Sequence, residues 1–143
     1  MFRVFKDVKV IVISFLVYLL GIVVYLFKLN AFNQVLRDLE STGANYLDMY
    51  MYNNNQMLSY FLGAIFFILI GLYILIGSVV FVFLNDFEAE SLITGGIVLI
   101  SMLVLIYLLI HFIMIPVMKI TLTIIFIVFI AIFGLAGASD SNY

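Results

Sequence analysis

Residues 58–84 decide the fold, and they read LSYFLGAIFFILIGLYILIGSVVFVFL, without a single Asp, Glu, Lys or Arg. A helix needs about 20 mostly apolar residues to cross the hydrocarbon core of a bilayer. At 1.5 Å per residue this stretch forms a helix of roughly 40 Å, which exceeds a typical core of about 30 Å. We therefore predict a membrane-spanning helix that tilts or extends past the interface.

Three further stretches have the same character and a suitable length: residues 8–27, 92–114 and 120–138. Pro116 disfavours helical backbone at Ile115, so a turn between the last two spans is expected there. The rival arrangements are a hairpin turn at another position and a re-entrant segment near Pro116. Taken together, residues 1–143 predict a single all-α integral membrane domain, a four-transmembrane-helix bundle.

The composition of the chain excludes several classes of protein. Hydrophobic residues make up 67% and charged residues 10%, with a mean hydropathy of +1.34. A soluble domain has about 45–50% apolar and about 25% charged residues, and a small one cannot bury more. The net charge is −2, so no basic patch for nucleic acid is expected. Cysteine is absent from the sequence, which excludes disulfides, thiolate metal sites and iron–sulfur clusters.

The first loop, residues 28–57, contains a second kind of pattern. Within residues 29–40, apolar side chains recur at helical spacing with polar residues between them. This pattern predicts a short amphipathic helix that lies on the membrane surface or over the bundle. Gly43 follows it and suits a left-handed helix cap.

Tyrosines and methionines follow this segment and precede a run of asparagines. Tyr and Met are enriched at protein interfaces, but Tyr is equally expected in the headgroup layer of a bilayer. Both interpretations stay open. The residues of the loop that we expect to contact a partner are Phe32, Leu36, Tyr46, Tyr50 and Tyr52.

Small and weakly polar residues line one face of several spans, and such faces let helix backbones approach closely in lipid. The faces serve either the packing of this bundle or the binding of another chain. The residues concerned are Ser14, Tyr18, Gly21 and Tyr25 in the first span, Gly63, Gly71 and Ser78 in the second, Gly95 in the third, and Gly134 and Ala138 in the fourth.

His111 is the only ionisable side chain of the His, Lys, Arg, Asp and Glu types well inside a predicted span, and Tyr107 precedes it by one turn. This pair is a candidate polar site, and His111 is a candidate haem ligand. A single His without Cys or a nearby carboxylate is nevertheless a poor ligand set. We therefore predict no catalytic residue, no metal site and no cofactor, with haem held by His111 as the alternative.

The orientation rests on the first helix. Three cations, Arg3, Lys6 and Lys9, precede or begin the first span, and three, Lys28, Arg37 and Lys119, would lie on the other side. The count therefore ties, but the first helix usually dominates, which places both termini in the cytoplasm.

The absence of charged spans and of a catalytic cluster favours a protein that is not an enzyme. We expect a structural or accessory subunit of a larger membrane assembly, whose partners are membrane lipids and other membrane subunits or copies of itself, and not nucleic acid. The alternative is a protomer of a homo-oligomeric channel or small transporter. Its pore would be lined by the face with Ser14, Tyr18 and Tyr25, or by Tyr107 and His111.

Overall fold

The computed structural model describes the backbone of residues 6–139 and the side chains of residues 6–133. It contains four helices in this part of the chain: α1 (Val8–Ser41), α2 (Tyr46–Leu84), α3 (Ala89–Phe112) and α4 (Pro116–Ser139). All four are long and apolar enough to cross a membrane. The prediction of an all-helical chain with four such helices is confirmed.

α1 is longer than the sequence predicts. The predicted span, residues 8–27, and the predicted amphipathic segment, residues 29–40, form one unbroken helix. The apolar run ends at Lys28, but lysine is a good helix former and no Gly or Pro follows until Gly43. The expectation of a separate short helix in the first loop is therefore corrected, since its apolar side packs over the bundle as the last part of α1.

The end of α1 is set by Gly43, as predicted. This glycine has a φ of +91°, which a residue with a side chain rarely adopts. Its N–H donates to the Glu40 carbonyl, and the N–H of Ala44 donates to the Leu39 carbonyl. These two bonds form a Schellman motif, which satisfies carbonyls that the last turn of a helix leaves without partners.

α2 is interrupted near its beginning by a run of asparagines. Its first turn is capped by Asn45, whose side chain accepts from the N–H of Asp48 while the Asp48 carboxylate accepts from the N–H of Asn45. Residues 53–55 then adopt φ values of 48°, 56° and 62°, which lie in the left-handed region. Asn tolerates this region better than other residues with a side chain. The long helical section follows, close to the predicted start at residue 58.

The last two helices meet where the sequence predicts. α3 ends at Phe112, and α4 begins at Pro116, whose fixed φ and missing N–H suit the first position of a helix. Ile113 lies between them with an extended backbone, φ −70° and ψ 121°. The Pro116 turn is thus confirmed, although α4 starts earlier than the predicted residue 120.

α2 is the central element of the bundle. It packs against α1, α3 and α4, whereas the described residues of α4 pack against α2 and α3 but not against α1. Within the most apolar stretch of each helix, α4 buries the smallest share of residues, counted over residues 116–133. Most of the large, fully buried side chains come from the first three helices, and α4 contributes Leu122; those of the first three helices include Ile11, Ile22, Leu29, Leu36, Met49, Met57, Ile68, Leu72, Phe81, Met102, Ile106 and Leu109.

Candidate interface sites

Tyr18 of α1 packs closely against Gly71 of α2. The Tyr18 hydroxyl donates to the backbone carbonyl of Phe67 at 3.1 Å, one turn before Gly71. A Cβ atom at Gly71 would lie 2.7 Å from the Tyr18 hydroxyl oxygen and 3.2 Å from Cδ1 of Ile106. Only glycine therefore leaves room for the tyrosine to reach this carbonyl.

The same arrangement recurs two turns away along the two helices. The Tyr25 hydroxyl donates to the backbone carbonyl of Tyr60. A Cβ atom at Gly63 would lie 2.9 Å from Cε2 of Tyr25, and one at Gly21 would lie 3.3 Å from Cε1 of Phe67. The predicted faces of the first two spans therefore pack against each other, and both tyrosine hydroxyls are engaged inside the chain.

Gly95 of α3 allows close contact with α2, as Gly71 allows close contact between α2 and α1. A Cβ atom there would lie 2.5 Å from Cγ2 of Val82 and 3.2 Å from the carbonyl oxygen of Ser78. Ser78 is fully buried, and its hydroxyl donates to the Leu75 carbonyl at 2.7 Å. The small residues of the second and third spans thus meet each other. Gly134 and Ala138 lie outside the residues whose side chains the structure describes, and Ser14 is half-buried beside Tyr18.

Asn33 is a buried polar residue whose partner sequence analysis does not identify. Its side chain is 2% exposed, and its Nδ2 donates to the backbone carbonyl of Phe112 at 2.7 Å. Its Oδ1 has no hydrogen-bond partner. The contact joins α1 to the end of α3, and a polar residue on the apolar side of the amphipathic segment is the only sequence signal for it.

The structure separates the predicted contact residues of the first loop into two groups. Phe32 is 5% exposed and Leu36 is fully buried, and the Phe32 ring stacks on the Tyr60 ring at a centroid distance of 4.8 Å. Phe32 and Leu36 are therefore buried within the chain itself, which leaves them little surface for the partner contact that the sequence predicts. Tyr50 and Tyr52 are half-buried.

The second group consists of the exposed Tyr46, which lies in a part of the chain that we call the hairpin tip, residues 34–55. The hairpin tip begins after Asn33, which contacts Phe112 at the end of α3. Beyond this point, residues 34–41 extend α1 by about 12 Å. Apolar side chains are exposed here: Leu47 by 64%, Met51 by 61% and Tyr46 by 54%. Charged side chains are exposed on the same tip, at Arg37, Asp38, Glu40 and Asp48.

Tyr107 and His111 lie on one surface of α3, with ring centroids 5.8 Å apart and planes inclined by 21°. Both are exposed, and both border a groove of about 440 Å³ between α3 and α4, which we call the α3–α4 groove. Lys119 and Thr123 of α4 line it on the other side. The predicted polar pair is thus brought together with a cation that sequence analysis did not connect to it.

The chemistry available in the described residues is limited. No group of three or more His, Cys, Asp or Glu side chains within them is placed to hold a metal ion. His111 has aromatic neighbours, Tyr107 and Phe112. No protein-family model, curated protein or solved structure matches this chain.

Proposed function

We propose that the chain is a multi-pass membrane protein that acts as a non-enzymatic structural or accessory subunit of a larger membrane assembly. The observation that carries this proposal is the exposed apolar surface of Tyr46, Leu47 and Met51 on the hairpin tip. The four long apolar helices support the membrane placement, since lipid covers their exposed apolar sides.

The hairpin tip differs from the rest of the surface because it carries exposed charges beside its apolar side chains. Charged side chains are costly in the hydrocarbon core, so Arg37, Asp38 and Glu40 place the tip in the headgroup layer or in water. Leu47 and Met51 would then stay in contact with water, at a cost of about 25 cal/mol for each Å² of apolar surface. A partner subunit that covers Tyr46, Leu47 and Met51 removes this cost, and Tyr and Met are enriched at such contacts.

The proposal is tested by purifying the tagged protein from its native membrane after cross-linking, with Leu47→Glu and Met51→Glu compared with the unchanged chain. We expect both variants to lose stoichiometric foreign subunits while they remain in the membrane fraction. Gln34→Glu is the matched control, because it adds the same charge to an exposed position of the hairpin tip. Recovery of a homogeneous species that contains only this chain would contradict the accessory role.

The membrane placement has a separate test. Because the sequence has no Cys, single cysteines can be introduced without a background of natural thiols. In the proposed arrangement, Thr42→Cys reacts with an impermeant maleimide from outside the cell, and Glu88→Cys reacts only after the membrane is opened. Equal labelling of both positions in intact cells would rule out an odd number of crossings between them.

A homo-oligomeric channel or small transporter is the second candidate. The exposed Tyr107 and His111 favour it, since they are polar groups beside the exposed apolar side chains of Leu103 and Val104. The Tyr18 and Tyr25 face would have to release two internal hydrogen bonds before it could line a pore. Ion flux through liposomes that contain the purified protein, lost in His111→Leu, supports the channel, and the absence of flux for several ions supports the accessory role.

A further inference from the structure

The α3–α4 groove has a polar end and an apolar remainder. His111 is in the last turn of α3 and Lys119 is in the first turn of α4, so both lie at the end where the two helices are joined. Because the helices are antiparallel, Leu103 and Ile127 line the groove further along, each eight residues away or about 12 Å by helical rise. The groove thus changes from cationic and polar to apolar within the length of a few turns.

The ammonium group of Lys119 has no acidic partner in the part of the chain that the structure describes. No carboxylate within residues 6–133 forms an ion pair with Lys119 or His111. Thr123, which lines the same groove, donates its hydroxyl to the Lys119 carbonyl at 2.9 Å and leaves the ammonium group free. An imidazole has at least one N–H donor in either protonation state, so the polar end offers donors but no negative charge.

We propose that the α3–α4 groove binds a phospholipid with a net negative headgroup, whose phosphate lies against Lys119 and His111 and whose acyl chain fills the apolar part. The proposal rests on the membrane placement proposed above. Charge complementarity selects an anion, because the residues that line the polar end include a cation and no carboxylate. The apolar lining by Leu103, Ile106 and Ile127 selects an anion that carries a hydrocarbon chain rather than free phosphate.

The test uses the full chain purified in a mild detergent and native mass spectrometry after addition of phosphatidylglycerol or phosphatidylcholine at equal concentrations. We expect the protein to retain phosphatidylglycerol preferentially. Lys119→Gln should lower this retention about fivefold, since a basic side chain near a lipid surface contributes about 1 kcal/mol, and should change phosphatidylcholine retention little. Lys9→Gln is the matched control, because it removes an exposed lysine at the opposite end of the bundle.

Two further variants of the experiment identify the source of the anion. Ile127→Trp fills the apolar part of the groove and should lower the retention of both lipids. Millimolar glycerol phosphate, which has the headgroup chemistry without acyl chains, should not displace the bound lipid. Displacement by glycerol phosphate would overturn the assignment to a lipid and indicate a site for free phosphate compounds.

Equal retention of phosphatidylglycerol by Lys119→Gln and Lys9→Gln would overturn the assignment of the headgroup to this groove. Extraction of the unchanged chain from membranes with alkaline carbonate tests the membrane placement independently. Resistance to extraction together with equal lipid retention therefore overturns the lipid site alone, whereas release of the chain by carbonate overturns the membrane placement on which the site depends.

Discussion

Asn33 of α1 donates a hydrogen bond at 2.7 Å to the backbone carbonyl of Phe112, the last residue of α3. In a continuing helix, this carbonyl would accept from the N–H four residues later, which is the position of Pro116. Proline has no N–H, so the chain leaves this carbonyl without a helical partner. The amide of Asn33 takes that place from another helix, and it links the turn before α4 to the long α1.

Replacement of Asn33 by leucine should destabilise the bundle. Asn33→Leu has a side chain of similar size but leaves the partly buried Phe112 carbonyl unpaired, at a cost of about 1–2 kcal/mol. Thermal unfolding in detergent, followed by circular dichroism, measures the loss. Asn33→Asp should be worse, because a second oxygen then faces the carbonyl. Gln34→Leu is the control at an exposed neighbour, and equal unfolding temperatures for Asn33→Leu and this control would disprove the role of Asn33.

Gly71→Ala should destabilise the contact between α1 and α2 by about 1–3 kcal/mol, because the new Cβ lies 2.7 Å from the Tyr18 hydroxyl. Gly96→Ala is the matched control in a helix, since nothing lies within 4 Å of its Cβ position. Alanine is favoured over glycine in helices, so this control should keep or raise the stability.

The clash at Gly71 has a specific test by double substitution. Tyr18→Phe removes the oxygen that the alanine Cβ meets, so the cost of Gly71→Ala should be smaller in the Tyr18→Phe background. A coupling energy of about 0.5–3 kcal/mol is expected for residues in contact. Strictly additive effects would show that the cost of Gly71→Ala does not come from contact with the Tyr18 hydroxyl.

The stability of variants in the asparagine run should depend on how well the new residue adopts a left-handed backbone, and not on its polarity. Asn54 has a φ of 56°, which glycine adopts without strain and a β-branched residue adopts with difficulty. Asn54→Gly should keep or raise the stability, and Asn54→Val should lower it by about 1–2 kcal/mol. Chemical unfolding of both variants in detergent compares them. A valine variant as stable as the glycine variant would contradict the left-handed conformation.

The two groups of first-loop residues should separate in a stability measurement on the purified chain. Leu36 is fully buried, so Leu36→Ala should cost about 2–5 kcal/mol even when no partner is present. Leu47 is 64% exposed, so Leu47→Ala should cost less than about 0.5 kcal/mol. If the two alanine variants unfold alike, the division of these residues into buried and exposed groups is incorrect.

The features that the sequence predicts correctly are those that depend on neighbouring residues. The four apolar stretches, the Gly43 cap and the turn before Pro116 each follow from local composition or backbone preference. The continuity of α1 beyond Lys28 does not, because a charge marks the end of an apolar run but not the end of a helix. The C-terminal end of a helix is favoured by glycine, and the first glycine after Lys28 is Gly43.

The features that escape sequence analysis depend on the packing of distant residues. Gly71 and Tyr18 are each recognisable as members of a small or polar face, but their contact requires α1 and α2 to lie antiparallel at one register. Lys119 is separated from His111 by the Pro116 turn, and only the fold brings both to the α3–α4 groove. Candidate sites in this chain therefore come from pairs of helices rather than from any single motif.

Because the four helices are packed unequally, the molecule should resist a pulling force more strongly at one end of the chain than at the other. In the described residues, α4 contacts α2 and α3 but not α1, and its apolar stretch is the least buried of the four, whereas α2 contacts all three other helices. A force applied at the C-terminus would detach α4 first, in an early and low-force rupture. A force applied at the N-terminus would instead meet the contacts of Tyr18, Tyr25 and Asn33 within α1.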